Sequence, residues 1–178
     1  MSERIVDVGA GTNPDPRATE TLDIQPPADH VADLEGKWPF EDSSVQLIVA
    51  NHVLEHIADP EHFFNEAARI LTNEGILEVT VPLGEDAKTD HTHVSEWRFA
   101  TPEQFCAENR RPWDPEVPFV LQSRRLRVWL SGPERFLMPI FRPLANIYPP
   151  WAAHRCYAGE LTAKFQRIER GELSSANE

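Results

Sequence analysis

The sequence predicts an α/β fold built on a mostly parallel sheet, and three observations predict it. Short apolar runs recur at residues 5–8, 45–50 and 76–81, as strands covered on both faces require. A helical stripe with its own start and stop signals lies between the second and third runs. The first run breaks at once into the loop Gly9-Ala10-Gly11. Loops at the carboxyl ends of such strands are where open α/β sheets hold ligands.

In chain order, Ile5–Val8 carries one acid, Asp7, inside an apolar strand. A buried carboxylate needs donors, from a loop or from a ligand. Gly9 and Gly11 allow a sharp turn with a ligand lying against the backbone. Pro14 and Pro16 then exclude a regular helix. Only about nine residues lead to the next strand, too few for a crossover helix. That strand is residues 21–24, and Asp23 near its end suits the two hydroxyls of a ribose. Pro26-Pro27 ends it. In Ala32-Asp33-Leu34-Glu35, Asp33 is either a partner for an exocyclic purine amine or a solvated turn acid.

The strand 45–50 runs into Asn51-His52-Val53-Leu54-Glu55-His56. Asp59 caps a helix, with Pro60 at its first position. Phe63, Ala67, Ile70 and Leu71 form its apolar stripe, and Asn73-Glu74-Gly75 is its expected stop. The strand 76–81 ends at Pro82. The polar loop 84–97 holds Asp90-His91-Thr92-His93. Thr101-Pro102 opens an expected helix reaching about Asn109. Residues 119–129 and 160–168 read as strands, separated by an apolar, proline-punctuated insertion at 131–151 that reads as a lid. Residues 1–170 read as one domain, and 171–178 as a disordered polar tail.

The chain has 178 residues and a net charge of −12. The charge is uneven: residues 1–100 hold 20 acids and 6 bases, whereas residues 101–178 hold 9 acids and 11 bases. The acidic half argues against general nucleic-acid binding, which needs a basic footprint. Only three of 17 bases are lysine, a composition expected of a protein adapted to high salt. No apolar run is long enough for a membrane span, and no signal peptide is evident, so the expected location is cytoplasmic. Cys106 and Cys156 lack metal-type spacing and read as reduced thiols.

Four blocks together carry a resemblance: Val6-Asp7-Val8-Gly9-Ala10-Gly11, Leu22-Asp23-Ile24, Ala32-Asp33-Leu34 with Trp38-Pro39-Phe40, and Leu54-Glu55-His56-Ile57 before the capped helix. In this order and spacing the chain resembles the class I S-adenosylmethionine-dependent methyltransferases. It is most similar to small methyltransferase type 11-like members that lack the first crossover helix. The resemblance implies a Rossmann-like, seven-stranded sheet in order 3-2-1-4-5-7-6, with the last strand antiparallel and helices on both faces.

It also implies roles. S-adenosylmethionine is the implied cofactor. Its methionine part would lie on Gly9, Ala10 and Gly11, with Asp7 orienting that loop or meeting the ammonium through water. Asp23 and Ile24 would hold the ribose, Asp33 and Leu34 would frame the adenine, and Asn51 with His52 would close the pocket. Asn13-Pro14 departs from the family pattern, and no helix N-terminus is left for a pyrophosphate. That disfavours NAD.

His93, and after it His91, are the candidate general bases by their position after the fifth strand. The chelate Asp90, His91, His93 lacks a further ligand, so no metal is expected. Arg110, Arg111, Arg124, Arg125, Arg127, Arg135 and Arg142 suit an anionic or glycan-type acceptor, or merely offset the acidic half. The expected function is methyl transfer to an oxygen or nitrogen of a small-molecule or glycan-type acceptor, by a monomer or dimer. The alternative is a non-catalytic S-adenosylmethionine-binding module or partner subunit of another enzyme.

Overall fold

The computed structural model describes residues 3–108, 111–129, 136–155 and 158–169. Seven strands form one sheet: β1 (Ile5–Val8), β2 (Glu20–Asp23), β3 (His30–Val31), β4 (Val45–Asn51), β5 (Leu71–Leu83), β6 (Phe119–Trp129) and β7 (Ala158–Arg167). Their order is β3-β2-β1-β4-β5-β7-β6. The first five strands pair in parallel, and β7 runs antiparallel to β5 and to β6. Among the described residues, three α-helices accompany the sheet: α1 (Pro60–Ile70), α2 (Met138–Ile147) and α3 (Pro149–Arg155). This is the Rossmann-like methyltransferase architecture, with a loop in place of the first crossover helix.

That loop is tied down by charge. Asp15 donates its N–H to Asp7 Oδ2 at 2.7 Å. Arg17 bridges Asp15 and, on β5, Glu78, each at 2.9 Å. Glu78 also holds Lys164 of β7 at 2.8 Å. Ion pairs and one buried acceptor thus replace the packing that a crossover helix would supply. On β2, hydrogen bonds from Arg4, then from His30, hold the Glu20 carboxyl down at about 2.

Some expected bounds move. β2 starts at Glu20, because it pairs with Val6 of β1. β3 has two residues, too few to leave a pattern in the sequence. Helix α1 starts as expected, with Asp59 Oδ1 accepting the His62 N–H at 3.0 Å. It ends at Ile70, before the glycine signal, because Leu71 turns extended and opens β5. Asn73-Glu74-Gly75 sits instead in the irregular first part of β5, where Glu74 has φ +64°. The turn at Thr101–Phe105 is a 3-10 helix rather than an α-helix. Asn109 and the tail 171–178 lie outside the described residues.

An aromatic cluster anchors the core beside β6 and β7. Phe64 of α1 stacks on Phe105 at 4.3 Å and meets the edges of Phe119 and Phe165. All four rings are buried. This cluster seats α1 and the 101–105 turn beside β6 and β7. Truncating such a ring costs about 3–5 kcal/mol. The sequence's lid region forms α2 and α3, both packed on β6. Among the described residues, no helix is long and apolar enough to cross a membrane.

Candidate functional site

The carboxyl ends of β1, β2 and β4 open on a cleft of about 310 Å³. Gly9, Asp23, Ile24, Asp33, Leu34 and His52 line it, with Val53, His56 and Ile57. The backbone builds this cleft. Gly9 has φ +68°, and a Cβ there would stand 2.4 Å from Val53 Cγ2, so only glycine fits. Gly11, at φ +54°, donates its N–H to Asp23 Oδ2 at 2.8 Å. Gln25 donates to Asp23 Oδ1 at 2.9 Å. Each Asp23 oxygen keeps a lone pair for a diol.

Asp33 Oδ1 accepts the Glu35 N–H, and Glu35 Oε1 accepts the Ala58 N–H. Leu34 is buried, and its carbonyl accepts from the Trp38 indole at 3.0 Å. The loop 33–38 is thereby fixed on three sides.

Asp7, Ala10 and Gly11 support the cleft without lining it. Asp7 is 3% exposed, and burial pushes its carboxyl above the usual carboxylate range. Its Oδ1 is buried with no hydrogen-bond partner among the described residues. The diol-ready Asp23 and the apolar walls fit a nucleoside, and the buried Asp7 beneath the glycine loop places negative charge behind it. No arginine or lysine lines the cleft, so nothing there suits a pyrophosphate.

A larger cavity, about 950 Å³, lies next to it. Its lining is polar: Asn13, Asn51, His52, Thr80, Arg125, Arg127, Arg142, Asn146, Glu160 and Thr162, with Leu126 and Pro143. Strand register explains the set. Thr80 of β5 pairs with Thr162 of β7, and Thr162 pairs with Arg125 of β6. Glu160 pairs with Arg127 two residues further on, so period-two alternation sends all of these to one face. Arg142 and Asn146 come from α2, where Asn146 bonds both backbone groups of Leu126 at 3.0 Å.

His52 lines both spaces. Its backbone is left-handed, with φ +55°, an arrangement that needs support from its surroundings. Its N–H is fixed on the Thr80 carbonyl at 2.8 Å. The Glu55 carboxylate at 3.4 Å, then Glu160 at 3.1 Å, hold its imidazole above the ordinary histidine range.

The other expected residues part company. His93 lines a separate pocket of about 250 Å³ with Glu55, Ala87 and Asp90. Its Nδ1 donates to the Ala87 carbonyl at 2.7 Å. His91 is exposed and lines none of the three spaces described. Neither histidine meets the junction, because the loop after β5 folds toward the 3-10 turn Leu54–His56 instead.

Three of the seven arginines reach the large cavity. Arg124 is tied to Phe99 O and Glu103, and Arg111 to Asp114. Arg110 and Arg135 lie outside the described residues. The sequence reading missed Asn13, Thr80, Asn146, Glu160 and Thr162. Alternation along 124–128 and 159–163 was their signal, visible only once the two strands are paired.

Residues 6–79 match the family model described as "Methyltransferase domain". No characterised protein sequence matches the chain closely. Among solved structures, the MccD protein is similar with a TM-score of 0.62 and 16% identity, over 93% of this chain and 90% of that one. A chain in the complex of the Haloferax volcanii Trm112 methyltransferase activator gives 0.61 and 17%, over 94% and 83%. Geranyl diphosphate methyltransferase, solved with S-adenosylmethionine, gives 0.60 and 12%, over 94% and 79%. The strand order, the loop at the end of β1 and the family match converge on one architecture: residues 6–79 match a methyltransferase domain model, and the chain has the fold of the class I S-adenosylmethionine-dependent methyltransferases.

Proposed function

We propose that this protein transfers a methyl group from S-adenosylmethionine to an oxygen or nitrogen of a small, anionic, hydroxyl-bearing acceptor, glycan-type molecules included. The observation that carries this reading is the meeting of an acidic nucleoside-shaped cleft and an arginine-lined cavity at one residue, His52. When bound, the cofactor supplies a methyl already activated on a positive sulfur, so the chain's task is alignment.

Asp23 takes the ribose hydroxyls, while Ile24, Asp33 and Leu34 enclose the base. The Gly9–Gly11 backbone and Asp7 receive the amino-acid part. Arg125, Arg127 and Arg142 hold the acceptor's negative groups, and Asn51, Asn146, Thr80 and Thr162 bond its hydroxyls. His52 closes the junction and keeps bulk water from it. These roles need no histidine base at position 91 or 93.

The test is turnover. The purified chain would be given S-adenosylmethionine and cell-extract metabolites fractionated on an anion exchanger, and S-adenosylhomocysteine would be measured. Methyl acceptance confined to the retained fractions is expected. Acceptance only in the unretained fractions removes the anionic acceptor.

A second reading rests on a different observation. Ile140, Leu144 and Ile147 of α2 are all exposed, at the spacing of one helix face. This suits a cofactor-binding subunit that acts with a partner protein. Turnover absent from the pure chain and restored by a co-purified protein would favour it.

A further inference from the structure

We propose that Glu55, His56 and His93 form a binding site for one divalent transition-metal ion, distinct from the cofactor cleft and the acceptor cavity. Each of the three offers one ligand atom, and these atoms lie within 4.8 Å of one another. They come from two segments: the 3-10 turn after β4 carries Glu55 and His56, and the loop after β5 carries His93. The imidazole rings of His56 and His93 are 4.9 Å apart.

Two further features point to a ligand. The first is Glu55, which is 2% exposed. Neither of its carboxylate oxygens has a hydrogen-bond partner among the described residues. Its nearest cationic group is His52 Nδ1, at 3.4 Å. His52 meets Oε1 alone, so the buried Oε2 is left without a donor or a positive partner among the described residues, which is costly. The second is the way both histidines are anchored. His56 Nδ1 lies 3.2 Å from the Thr92 carbonyl, and His93 Nδ1 lies 2.7 Å from the Ala87 carbonyl. A carbonyl can only accept, so both Nδ1 atoms carry the proton in the neutral rings. Both Nε2 atoms are then left with lone pairs. Fixing a ring through one nitrogen on a carbonyl is how proteins prepare the other nitrogen for a metal.

Two imidazole nitrogens and one carboxylate suit zinc, iron(II), manganese or cobalt(II). They do not suit calcium, which takes oxygen ligands throughout. Ligand bonds of about 2.1 Å would draw the three residues closer together. Asp90 Oδ2, 3.7 Å from His93 Nε2, is a further oxygen at the edge. Glu55 and His93 border the 250 Å³ pocket, and His56 borders the cofactor cleft. An ion held there would tie the loop after β5 to the turn that borders the cleft, leaving coordination positions open.

The site is tested with the tag-free whole chain after chelator treatment. Zinc is titrated by calorimetry, and cobalt(II) is followed by its visible absorption bands. One ion per chain is expected, with the split cobalt bands of a nitrogen-containing site. Glu55→Gln and His93→Ala should each weaken binding about 10–100-fold. His91→Ala should not, which separates this triad from the Asp90-His91-His93 chelate that the sequence weighs and sets aside. His93 is near the surface, so His93→Ala carries the test alone if Glu55→Gln does not fold. S-adenosylmethionine binding is measured on the same samples and reads out the cofactor proposal separately. No metal uptake by the wild-type chain, or unchanged affinity in His93→Ala, overturns the site.

Discussion

The two spaces that meet at His52 are built by opposite means. On the cofactor side, acids are engaged by backbone N–H groups: Asp7 by Asp15, Asp23 by Gly11 and Gln25, Asp33 by Glu35, and Glu35 by Ala58. The shape there is a property of the main chain, set by bonds that stay within the first 58 residues. On the side proposed for the acceptor, side chains from β5, β6, β7 and α2 converge across the sheet. Arg125 and Arg142 make no ion pair among the described residues, and Arg127 stands 3.7 Å from Glu160. One side is therefore rigid and intolerant of change. The other is a set of separable charges that can be exchanged without moving the backbone.

The sharpest way to break this contrast is to remove Asp23. Asp23→Ala deletes both the proposed diol acceptor and the anchor of the Gly11 N–H. Losing charge-assisted hydrogen bonds at this site should cost about 3 kcal/mol of cofactor binding, roughly a hundredfold in Kd. Calorimetry with S-adenosylhomocysteine reads it directly. A change within a factor of two would mean that Asp23 serves the loop alone.

The acceptor side should respond in smaller, independent steps. Arg125→Ala and Arg127→Ala are each expected to raise the acceptor KM about tenfold, and to leave cofactor Kd unchanged. Arg124→Ala is the built-in comparison. Its guanidinium lies over the Phe99 ring and bonds the Phe99 carbonyl, outside the cavity. It should lower thermal stability and spare KM. Equal KM effects from Arg124 and Arg125 would erase the distinction between the two faces of β6.

The same contrast explains what was legible in the sequence. Gly9, Asp23 and Asp33 stand in short local patterns, and Leu34 entered through the family resemblance, so residues that line one cleft could be picked out before any strand was paired. His52 was readable as a pocket residue but not as a junction, because that depends on its left-handed backbone. The acceptor cavity depends on pairings such as Arg125 with Thr162, 37 positions apart in sequence, and on an Asn146 that caps no helix. Histidines 91 and 93 drew attention by composition and order. The placement of His93 follows from hydrogen bonds to the Ala87 and Asp90 carbonyls, which no periodicity encodes. The strand order itself was expected only through the family resemblance.

Asp7 offers a finer test of the cofactor side. Its burial raises the carboxyl's pKa, so in the folded state the ionised form is penalised relative to the unfolded chain. Asp7→Asn should therefore raise stability at neutral pH, by about 1 kcal/mol, while weakening cofactor binding. The sign reverses nowhere but the gain has a window. Above the raised folded pKa the wild type carries the full penalty. As pH falls through that value toward the unfolded pKa, the native carboxyl is protonated and the advantage of asparagine shrinks to nothing. Melting temperatures of both proteins from pH 7 to pH 3 measure it. A constant difference across that range would assign the effect to packing rather than charge.

Salt gives the smallest effect and reads both sides at once. Residues 1–100 hold 20 acids against 6 bases, so the folded half repels itself at low ionic strength. Screening at 0.1 M already reaches about 10 Å, and multimolar potassium chloride shortens this to a few ångströms. Stability should rise with salt, because self-repulsion spread over the acidic half is relieved. The ion pairs that tie the crossover loop, Arg17 with Asp15 and Glu78, are partly shielded at their acids and should weaken less than the repulsion does. Binding should move the other way. A positively charged cofactor in an acidic cleft and an anionic acceptor among arginines both lose attraction as salt rises. The acceptor should lose more, since its arginines are the more exposed partners: Arg127 is 70% exposed, against 3% for Asp7 on the cofactor side. Denaturation and calorimetry over one potassium chloride series therefore separate three slopes. A stability that falls with salt would show that the loop's ion pairs, and not the surplus of acids, dominate the charge balance of the cofactor half.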